Sequence, residues 1–588
     1  MASADYRAIL AAMVVVAVGL FGEVGWPLVY LCAGVSITVI SAGLAVESRL
    51  GIRLEDLFWW AVIAWGVAAA LMVSGGALES KMTLASWGGA WVIWAAVGQA
   101  SDRGRRIVSV FLIGGALLLG AAAAAGACGT PRLINNYNIS VAMIVSAVPL
   151  VLRLFRCQWK ARSVVALMLI PVVVTGSRAG VLAVLVIALF LWPAGRSRRW
   201  VISLGGLAAV AAIAWRVISH PDSLAWHRWR IWGAVMESIG DRPLWGIGAG
   251  SVGEAMGSYR LEHLAEVGRW GHIIGGAENM PLGLALRVGM PGLVLAVTAL
   301  VVWFVHSRRP AAVTSATLSA IIVMGLFHDF WSEPAVLWWW AAVFGMATLR
   351  RKEFSQCQSG DRGSTRWPAA LAVGGVVAWA LVQPAWAQWL WWHTGPTAET
   401  VVMTVRVEPW FSQPMRWRVE DLLAEKHWTW ARASESLEWS RRMLEIQPGS
   451  AGAWDLRGRV HTRIVEEFGA WPSTVEKARM AFGKASALEP RLPWYPYHRA
   501  LLERGLGNLE GAKRLALQSV GLEPAFVRGR LLLARLELDG GNPDAARRSL
   551  ERALASRDAG KVRCWTAYHR DLIRCSEWQL EALDKEFR

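Results

Sequence analysis

Long apolar runs separated by short polar segments fill the first 390 residues of the chain. An α-helix rises about 1.5 Å per residue, so roughly 20 apolar residues in a row cross the hydrocarbon core of a membrane. The pattern therefore predicts an all-α fold that begins with a polytopic transmembrane helical bundle of about 12–13 spans. The predicted spans are residues 8–22, 27–46, 57–74, 82–99, 106–127, 137–152, 163–175, 178–194, 200–215, 281–305, 311–327, 334–349 and 367–390.

Basic residues cluster in every second loop between these runs, and loops rich in Lys and Arg face the cytoplasm. The clusters are Arg49 and Arg53; Arg103, Arg105 and Arg106; Arg153, Arg156, Lys160 and Arg162; Arg196, Arg198 and Arg199; Arg308 and Arg309; and Arg350, Arg351 and Lys352. The net charge of +17 is thus an orientation signal, and we expect no nucleic-acid partner. The N-terminus is predicted inside. The predicted outer face holds the loops at 128–136, 175–178, 216–280 and 328–333 and everything after residue 390.

Amphipathic helical patterns replace the apolar runs towards the C-terminus, which predicts a membrane domain at 1–393 and a soluble domain at 394–588. The tripeptides at 488–490 and 522–524 are both Leu-Glu-Pro, 34 residues apart, and Gly507-Asn508 recurs after 34 residues as Gly541-Asn542. A helix–turn–helix period of this length is typical of tetratricopeptide-like (TPR-like) repeats. The pattern predicts a helical solenoid whose concave surface recruits either an acceptor or a protein partner of the assembly.

The six cysteines show no metal-ligand spacing. Cys564 and Cys575 share the soluble domain, where they either pair in an oxidising compartment or remain two reduced thiols. No Asp-x-Asp metal motif occurs in the chain. The sequence therefore predicts neither a metal nor a cofactor.

Four segments on the predicted outer face carry polar residues that a membrane protein rarely keeps there without a function, namely 135–138, 175–180, 228–250 and 275–282. In the first, Asn138 begins a span, where it either caps the helix or binds a ligand. In the second, Arg178 lies in a turn flanked by glycines. Its guanidinium either extends to the lipid headgroups or offers a donor fork for phosphate.

The third segment combines Arg228, Arg230 and Arg242 with a run of glycines. The spacing Gly248-x-Gly250-x-x-Gly253 formally matches a dinucleotide fingerprint. No βαβ context surrounds it, so we do not predict that site. The glycines instead predict an irregular loop that lines a cavity.

The fourth segment places Glu278 and Asn279 just before Pro281, a residue suited to the first turn of a helix. An acidic group there is either a helix-stabilising charge or a general base. His272 lies six residues before Glu278 and is a second candidate base.

Residues from about 130 to 350 resemble the O-antigen ligase and O-antigen polymerase superfamily of bacterial membrane glycosyltransferases. The similar features occur in family order: an Asn-rich span start, Gly-Ser-Arg at 176–178, Arg228 four residues before Trp232, Asp-Arg-Pro-Leu-x-Gly-x-Gly at 241–248, Asn279 followed after nine residues by Gly289-x-x-Gly292, and the polar span start at 328–334.

The resemblance implies transfer of a glycan from an undecaprenyl-diphosphate-linked donor to an acceptor hydroxyl at the periplasmic face of the bacterial inner membrane. It implies that Arg178 and Arg228 hold the diphosphate and that Glu278 is the catalytic base, where the ligases have histidine. It suggests a further set of substrate-binding residues: Asn138, Arg230, Arg242, His272 and Asn279. The implied partners are the lipid-linked donor, a lipid, glycan or protein acceptor, and membrane lipids.

Two other functions remain open from the sequence. A non-catalytic scaffold of a polysaccharide assembly complex is favoured by the replacement of the ligase histidine at position 278. A polysaccharide export component is a second alternative, although the chain has no P-loop and no obvious inverted repeat of broken helices.

Overall fold

A computed structural model describes residues 3–21, 26–46, 54–73, 78–127, 137–155, 157–191, 227–250, 252–262, 268–271, 273–306, 312–347, 367–563 and 567–574. Helices form the regular secondary structure of these ranges, and no strand occurs in them. The all-α prediction is therefore confirmed.

The first part of the chain forms long apolar helices, which agree with the predicted spans to within a few residues at most ends, together with two helices at 227–241 and 252–255 that lie in the predicted outer loop 216–280. They are α1 Ser3–Phe21, α2 Trp26–Val46, α3 Leu54–Val73, α4 Leu78–Gly98, α5 Asp102–Ala127, α6 Tyr137–Leu154, α7 Gln158–Val174, α8 Arg178–Leu191, α9 His227–Asp241, α10 Val252–Ala255, α11 Met280–His306, α12 Ala312–Phe327, α13 Pro334–Ala347 and α14 Trp367–Thr394. The predicted span at 200–215 lies outside the described residues.

Four of these helices are long and apolar enough to cross a membrane over Ser3–Phe21, Asp102–Gly126, Tyr137–Leu154 and Met280–Val305, and several shorter apolar helices accompany them. Large apolar side chains lie on the outside, as on Leu71 and Val173, which are 69% and 72% exposed. Contact with lipid tails explains such exposure, because hydrocarbon does not penalise apolar surface. The chain is a multi-pass membrane protein.

Tryptophans pack the interior of the bundle, and the ring N–H groups of several of them donate to backbone oxygens. Trp87 donates to the carbonyl of Trp331 at 2.9 Å, and Trp338 donates to that of Ser86 at 2.9 Å. A buried N–H needs such a partner because no water is available there. Gly89 makes room, since a Cβ at this position would lie 3.0 Å from the Trp338 ring.

The second part of the chain consists of shorter amphipathic helices. They are α15 Ala398–Val407, α16 Ser412–Ala424, α17 Trp430–Ile446, α18 Ala451–Phe468, α19 Pro472–Leu488, α20 Trp494–Gly505, α21 Leu509–Leu522, α22 Val527–Asp539, α23 Pro543–Arg563 and α24 Ala567–Ile573. Consecutive helices pack on one another from α17 to α23.

The 34-residue sequence period coincides with helix ends. Leu488 and Leu522 are the last residues of α19 and α21. Asn508 caps α21, where its Oδ1 accepts from the N–H of Gly511 at 3.0 Å, and Asn542 accepts from Ala545 in the same way at 3.2 Å. This regularity is consistent with TPR-like repeats, and the repeat type itself stays a prediction.

Two compact units divide the chain. The membrane unit comprises Met1–Gly250, Gly276–Gly395 and Arg406–Pro409, and the repeat unit comprises Ser251–Gly275, Pro396–Val405 and Trp410–Arg588. The segment 251–275, which belongs to the long predicted outer loop, thus packs with the repeat helices. Cys32 and Cys157 are exposed free thiols. Cys564 and Cys575 lie outside the described residues.

The short stretch Arg406–Pro409 joins the membrane unit through a buried ion pair. Lys81 Nζ lies 2.6 Å from Glu408 Oε2, and the two side chains are 4% and 1% exposed. Lys81 also donates to Gln383 at 2.9 Å. Removing one partner of such a pair leaves an uncompensated charge, so these contacts hold this stretch of chain in place.

Candidate functional site

Helix α11 is broken by a glycine in the family-like motif. Gly289 has φ 72° and ψ 178°, which are not helical values. Pro291 follows two residues later and has no backbone N–H, so the carbonyl of Arg287 lacks its usual intrahelical donor. The kink therefore leaves carbonyls of α11 available to another segment.

The 241–248 motif fills that gap. The N–H groups of Ile247 and Gly248 donate to the carbonyls of Leu286 and Arg287 at 2.8 and 3.0 Å, and Met290 N–H donates to Pro243 at 2.8 Å. The backbones come so close that a side chain has no room. A Cβ on Gly246 would lie 2.3 Å from the Leu286 oxygen, and one on Gly289 would lie 2.2 Å from the Leu244 oxygen. The two separate family-like motifs are thus one structural element.

Tryptophans brace the same junction. Trp65 Nε1 donates at 2.9 Å to the carbonyl of Val288, the residue before the break in α11. The Trp65 ring stacks on Trp245 with centroids 4.5 Å apart and planes 10° apart. Backbone hydrogen bonds and aromatic stacking therefore both fix the loop that follows α9.

A buried ion pair joins α11 to the polar start of the last core span. Arg287 Nη1 lies 2.6 Å from Asp329 Oδ2, and the side chains are 1% and 3% exposed. The same Oδ2 accepts from Ala277 N–H at 3.2 Å, and Oδ1 accepts from Trp331 N–H at 3.3 Å. Arg287 Nη1 also donates to the carbonyl of Gly283 at 3.1 Å. Asp329 therefore fixes the turn that carries residue 278.

Glu278 has the most unusual backbone of this turn. Its φ of 51° makes it the one non-glycine residue with positive φ in the described part of the chain. Such a conformation costs of order 1–3 kcal/mol and persists where surrounding contacts impose it. The anchoring of the preceding Ala277 by Asp329 supplies that constraint.

Three charged or titratable side chains meet at this turn. Glu278 Oε2 lies 3.7 Å from Arg228 Nη2 and 3.8 Å from His328 Nδ1. Glu278 and Arg228 are 42% and 41% exposed, whereas His328 is 9% exposed. The structure therefore combines a carboxylate, an imidazole and a guanidinium at a site that a ligand can reach.

Asn279 acts as the N-cap of α11. Its Oδ1 accepts from Leu282 N–H at 3.0 Å, and its Nδ2 donates to the carbonyl of Leu326 at 2.9 Å. Both ends of the amide are thus engaged within the protein. Substrate binding by Asn279 stays a prediction.

The Gly-Ser-Arg turn forms a second polar group. Gly176 has φ 65°, Ser177 Oγ donates to Asn138 Oδ1 at 3.3 Å, and Gly180 N–H donates to Ser177 Oγ at 3.3 Å. Arg178 begins α8 with an exposed side chain. The turn thus presents a guanidinium beside a helix N-terminus, where free N–H groups favour anions.

The remaining predicted site residues have different surroundings. Arg230 is half-buried on α9 two residues after Arg228, and Arg242 is exposed in the turn that follows α9. His272 lies outside the described residues. None of these positions tests the substrate-binding predictions.

Residues that the sequence did not single out as site members complete the arrangement. His328 faces Glu278, and Asp329 and Arg287 hold the turn. The signal for them is the His-Asp pair at the predicted outer end of a span, because ionisable residues at that depth are costly without a partner.

Comparison with known proteins supports part of this picture. The family model described as O-Antigen ligase matches residues 163–297, a segment that contains Arg178, Arg228 and Glu278 and ends before His328. No curated protein matches the chain. The crystal structure of MamA is similar at 15% identity and a TM-score of 0.23, with 28% of this chain and 88% of that chain covered. A likeness this low carries no conclusion.

The family-like features at 176–178, 228–232, 241–248 and 278–292 fall within the matched segment. The resemblance to the O-antigen ligase superfamily is therefore confirmed over residues 163–297, the segment of this multi-pass membrane protein that the family model matches.

Proposed function

We propose that this protein transfers a glycan from an undecaprenyl-diphosphate-linked donor to an acceptor hydroxyl at the periplasmic face of the inner membrane. The O-antigen ligase match supports a glycan-transfer role in polysaccharide biosynthesis. The observation that carries the finer proposal is the meeting of Arg228, Glu278 and His328 at one accessible turn.

The reaction forms one bond and breaks one. The acceptor oxygen attacks the anomeric carbon of the donor sugar, and the bond from that carbon to the diphosphate oxygen breaks. The electron pair of the broken bond stays on the polyprenyl diphosphate, and the acceptor proton passes to a base. Glu278 and His328 together form the base, since a carboxylate beside an imidazole orients the ring and stabilises its protonated form.

The two arginines stabilise the charge of the leaving group. Negative charge grows on the diphosphate as the glycosidic bond breaks, so fixed cations there lower the barrier. Arg228 lies at the Glu278 turn, and Arg178 begins α8. Helix α8 packs against α12, whose carbonyl of Leu326 accepts from Asn279. A chain of contacts thus links the two arginine-bearing elements within the membrane unit.

The same proposal places the N-terminus in the cytoplasm and the repeat domain in the periplasm. Gly449 is exposed, and a Cβ there would meet no atom within 4 Å, so Gly449→Cys offers a reporter with little structural cost. We expect this cysteine to react with a membrane-impermeant maleimide added to intact spheroplasts. Reaction only after the membrane is opened would overturn the topology.

Cellular glycans test the transfer itself. A deletion strain complemented with Arg178→Ala is expected to accumulate polyprenyl-linked glycan and to form mature product about 10²- to 10³-fold more slowly, because one charge-stabilising donor is lost. Arg178→Lys keeps a cation without the fork and should be intermediate. Arg162→Ala is the matched control, because Arg162 is an exposed arginine near the start of α7, at the end predicted to face the cytoplasm.

The missing product in this experiment identifies the acceptor as lipid, glycan or protein. Equal glycan patterns in wild type, Arg178→Ala and Arg162→Ala would instead favour a scaffold without catalysis.

A further inference from the structure

The outer segment Ser251–Gly275 is bound by the repeat unit of the same chain. Its N-terminal end continues directly from Gly250, which follows the loop docked on the kink of α11. Its C-terminal end is three residues before Glu278. A contact that holds this segment therefore restrains the backbone that leads from the docked loop to the Glu278 turn.

The first point of attachment is the C-terminal end of α19. Ser258 Oγ donates to the Leu488 carbonyl at 3.2 Å, and Arg260 Nη2 lies 3.2 Å from Glu489 Oε2. These two charged side chains are 7% and 12% exposed. Gly257 fits against the same carboxylate, because a Cβ there would lie 2.4 Å from Glu489 Cγ.

The second point of attachment is the C-terminal end of α21, one repeat later. Trp270 Nε1 donates to the Leu522 carbonyl at 3.0 Å, and the guanidinium of Arg491 lies over the Trp270 ring at 4.9 Å. Burial raises the pKa of the Glu523 carboxyl, and the nearby backbone N–H groups of Gly268 and Arg269 offset part of that rise.

The two attachment points are equivalent positions of the sequence repeat. The last four carbonyls of a helix lack intrahelical donors, so each helix end offers an oxygen, and the next residue adds a carboxylate. Leu488 with Glu489 and Leu522 with Glu523 supply these pairs. Arg260 bridges the two by donating from Nη1 to the carbonyl of Trp270 at 3.1 Å. A helix-end carbonyl followed by a carboxylate thus recurs in the repeats, and successive copies bind successive parts of one segment.

We propose that the repeat unit is an intramolecular clamp for 251–275, and that Arg260 and Trp270 are positioning residues that keep Glu278 in its catalytic place. The role in positioning rests on the proposed glycan transfer, whereas the clamp itself does not. The partner of this repeat surface is the chain's own outer segment.

Trypsin cleavage after Arg260 measures the clamp without any glycan substrate. In full-length protein in detergent, Glu489→Ala is expected to raise the cleavage rate about tenfold, since a buried charged donor loses its acceptor and the segment opens more often. Glu438→Ala is the matched control, because Glu438 is an exposed repeat-unit carboxylate that pairs with Arg441 and Arg442. Unchanged cleavage in Glu489→Ala overturns the clamp.

A pair of introduced cysteines distinguishes the positioning of Glu278 from a general loss of folding. Because a Cβ at 257 would contact Glu489 Cγ, the two Cβ atoms lie no more than about 3.9 Å apart, which is below the upper limit of about 4.5 Å for a disulfide. In a background in which the natural cysteines are replaced by serine, Gly257→Cys with Glu489→Cys is oxidised on isolated membranes. The disulfide is expected to keep trypsin resistance, whereas Gly257→Ser with Glu489→Ser is expected to lose it.

Transfer to mature glycan is then compared for the two pairs on the same oxidised membranes, which are prepared from the deletion strain. The crosslinked pair should retain at least tenfold more transfer than the serine pair. Equal transfer despite the difference in cleavage overturns the positioning role. If wild type itself forms no product while the cleavage results hold, the proposed transferase function fails and the clamp stands.

Discussion

Asp329→Ala is expected to destabilise the membrane unit by about 3–5 kcal/mol, the usual cost of removing one partner of a buried ion pair. Arg287 would keep a charge that is 1% exposed and lose its partner at 2.6 Å. Ala277 N–H and Trp331 N–H would also lose their acceptor. Because Ala277 precedes the positive-φ residue Glu278, transfer should fall together with stability.

The midpoint of thermal unfolding of the purified protein in detergent checks the first effect. The double replacement Arg287→Met with Asp329→Leu removes both charges, so it should be markedly less destabilising than Asp329→Ala alone. Arg441→Ala breaks an exposed pair with Glu438 and should leave the midpoint of unfolding close to that of wild type, because solvent screens such a pair. If the double variant is as unstable as Asp329→Ala, the loss of stability comes from altered packing and not from the unpaired charge.

The helices of the membrane unit were predictable because spanning a bilayer demands long apolar runs. The ends were less certain, since polar residues continue a helix without contributing to an apolar run. Helix α7 begins at Gln158 although the apolar run begins at residue 163. Hydropathy cannot report those first turns, because backbone hydrogen bonding and not apolarity extends them.

The site was predictable only in part. The motifs at 241–248 and 278–292 are visible in the sequence, but their union depends on a helix break at Gly289 that leaves carbonyls for Ile247 and Gly248. His328 is 50 residues from Glu278 in sequence. No local pattern joins residues so far apart, so only the packing of α11 and α12 brings them together.

The repeat period was visible, yet its role was not. The Leu-Glu-Pro tripeptides predicted helix ends, and α19 and α21 do end at Leu488 and Leu522. What binds there depends on where the 251–275 segment folds, and that segment has neither a long apolar run nor a repeat of its own. The structure shows a segment of the same chain on these helix ends, and the partner expected for the concave repeat surface stays a prediction.

His328→Ala is expected to lower transfer by about 10²- to 10⁴-fold, the range for loss of a general base. Its imidazole is 9% exposed and lies 3.8 Å from Glu278 Oε2, and the proposed mechanism assigns the acceptor proton to this pair. Glu278→Gln keeps the shape of the side chain and removes its charge, and it should cause a loss within the same range. The measurement is the ratio of mature glycan to accumulated polyprenyl-linked glycan.

The double variant decides whether the two residues act as a unit. Residues that share one proton transfer are strongly non-additive, so His328→Ala with Glu278→Gln should be little worse than the more severe single change. If the loss of transfer in the double variant equals the product of the two single losses, the two side chains act in separate steps. Glu237→Ala is the matched control on α9, the helix that carries Arg228, because its side chain is exposed. If only Glu278→Gln impairs transfer, the carboxylate alone is the base and His328 has a packing role beside Phe330.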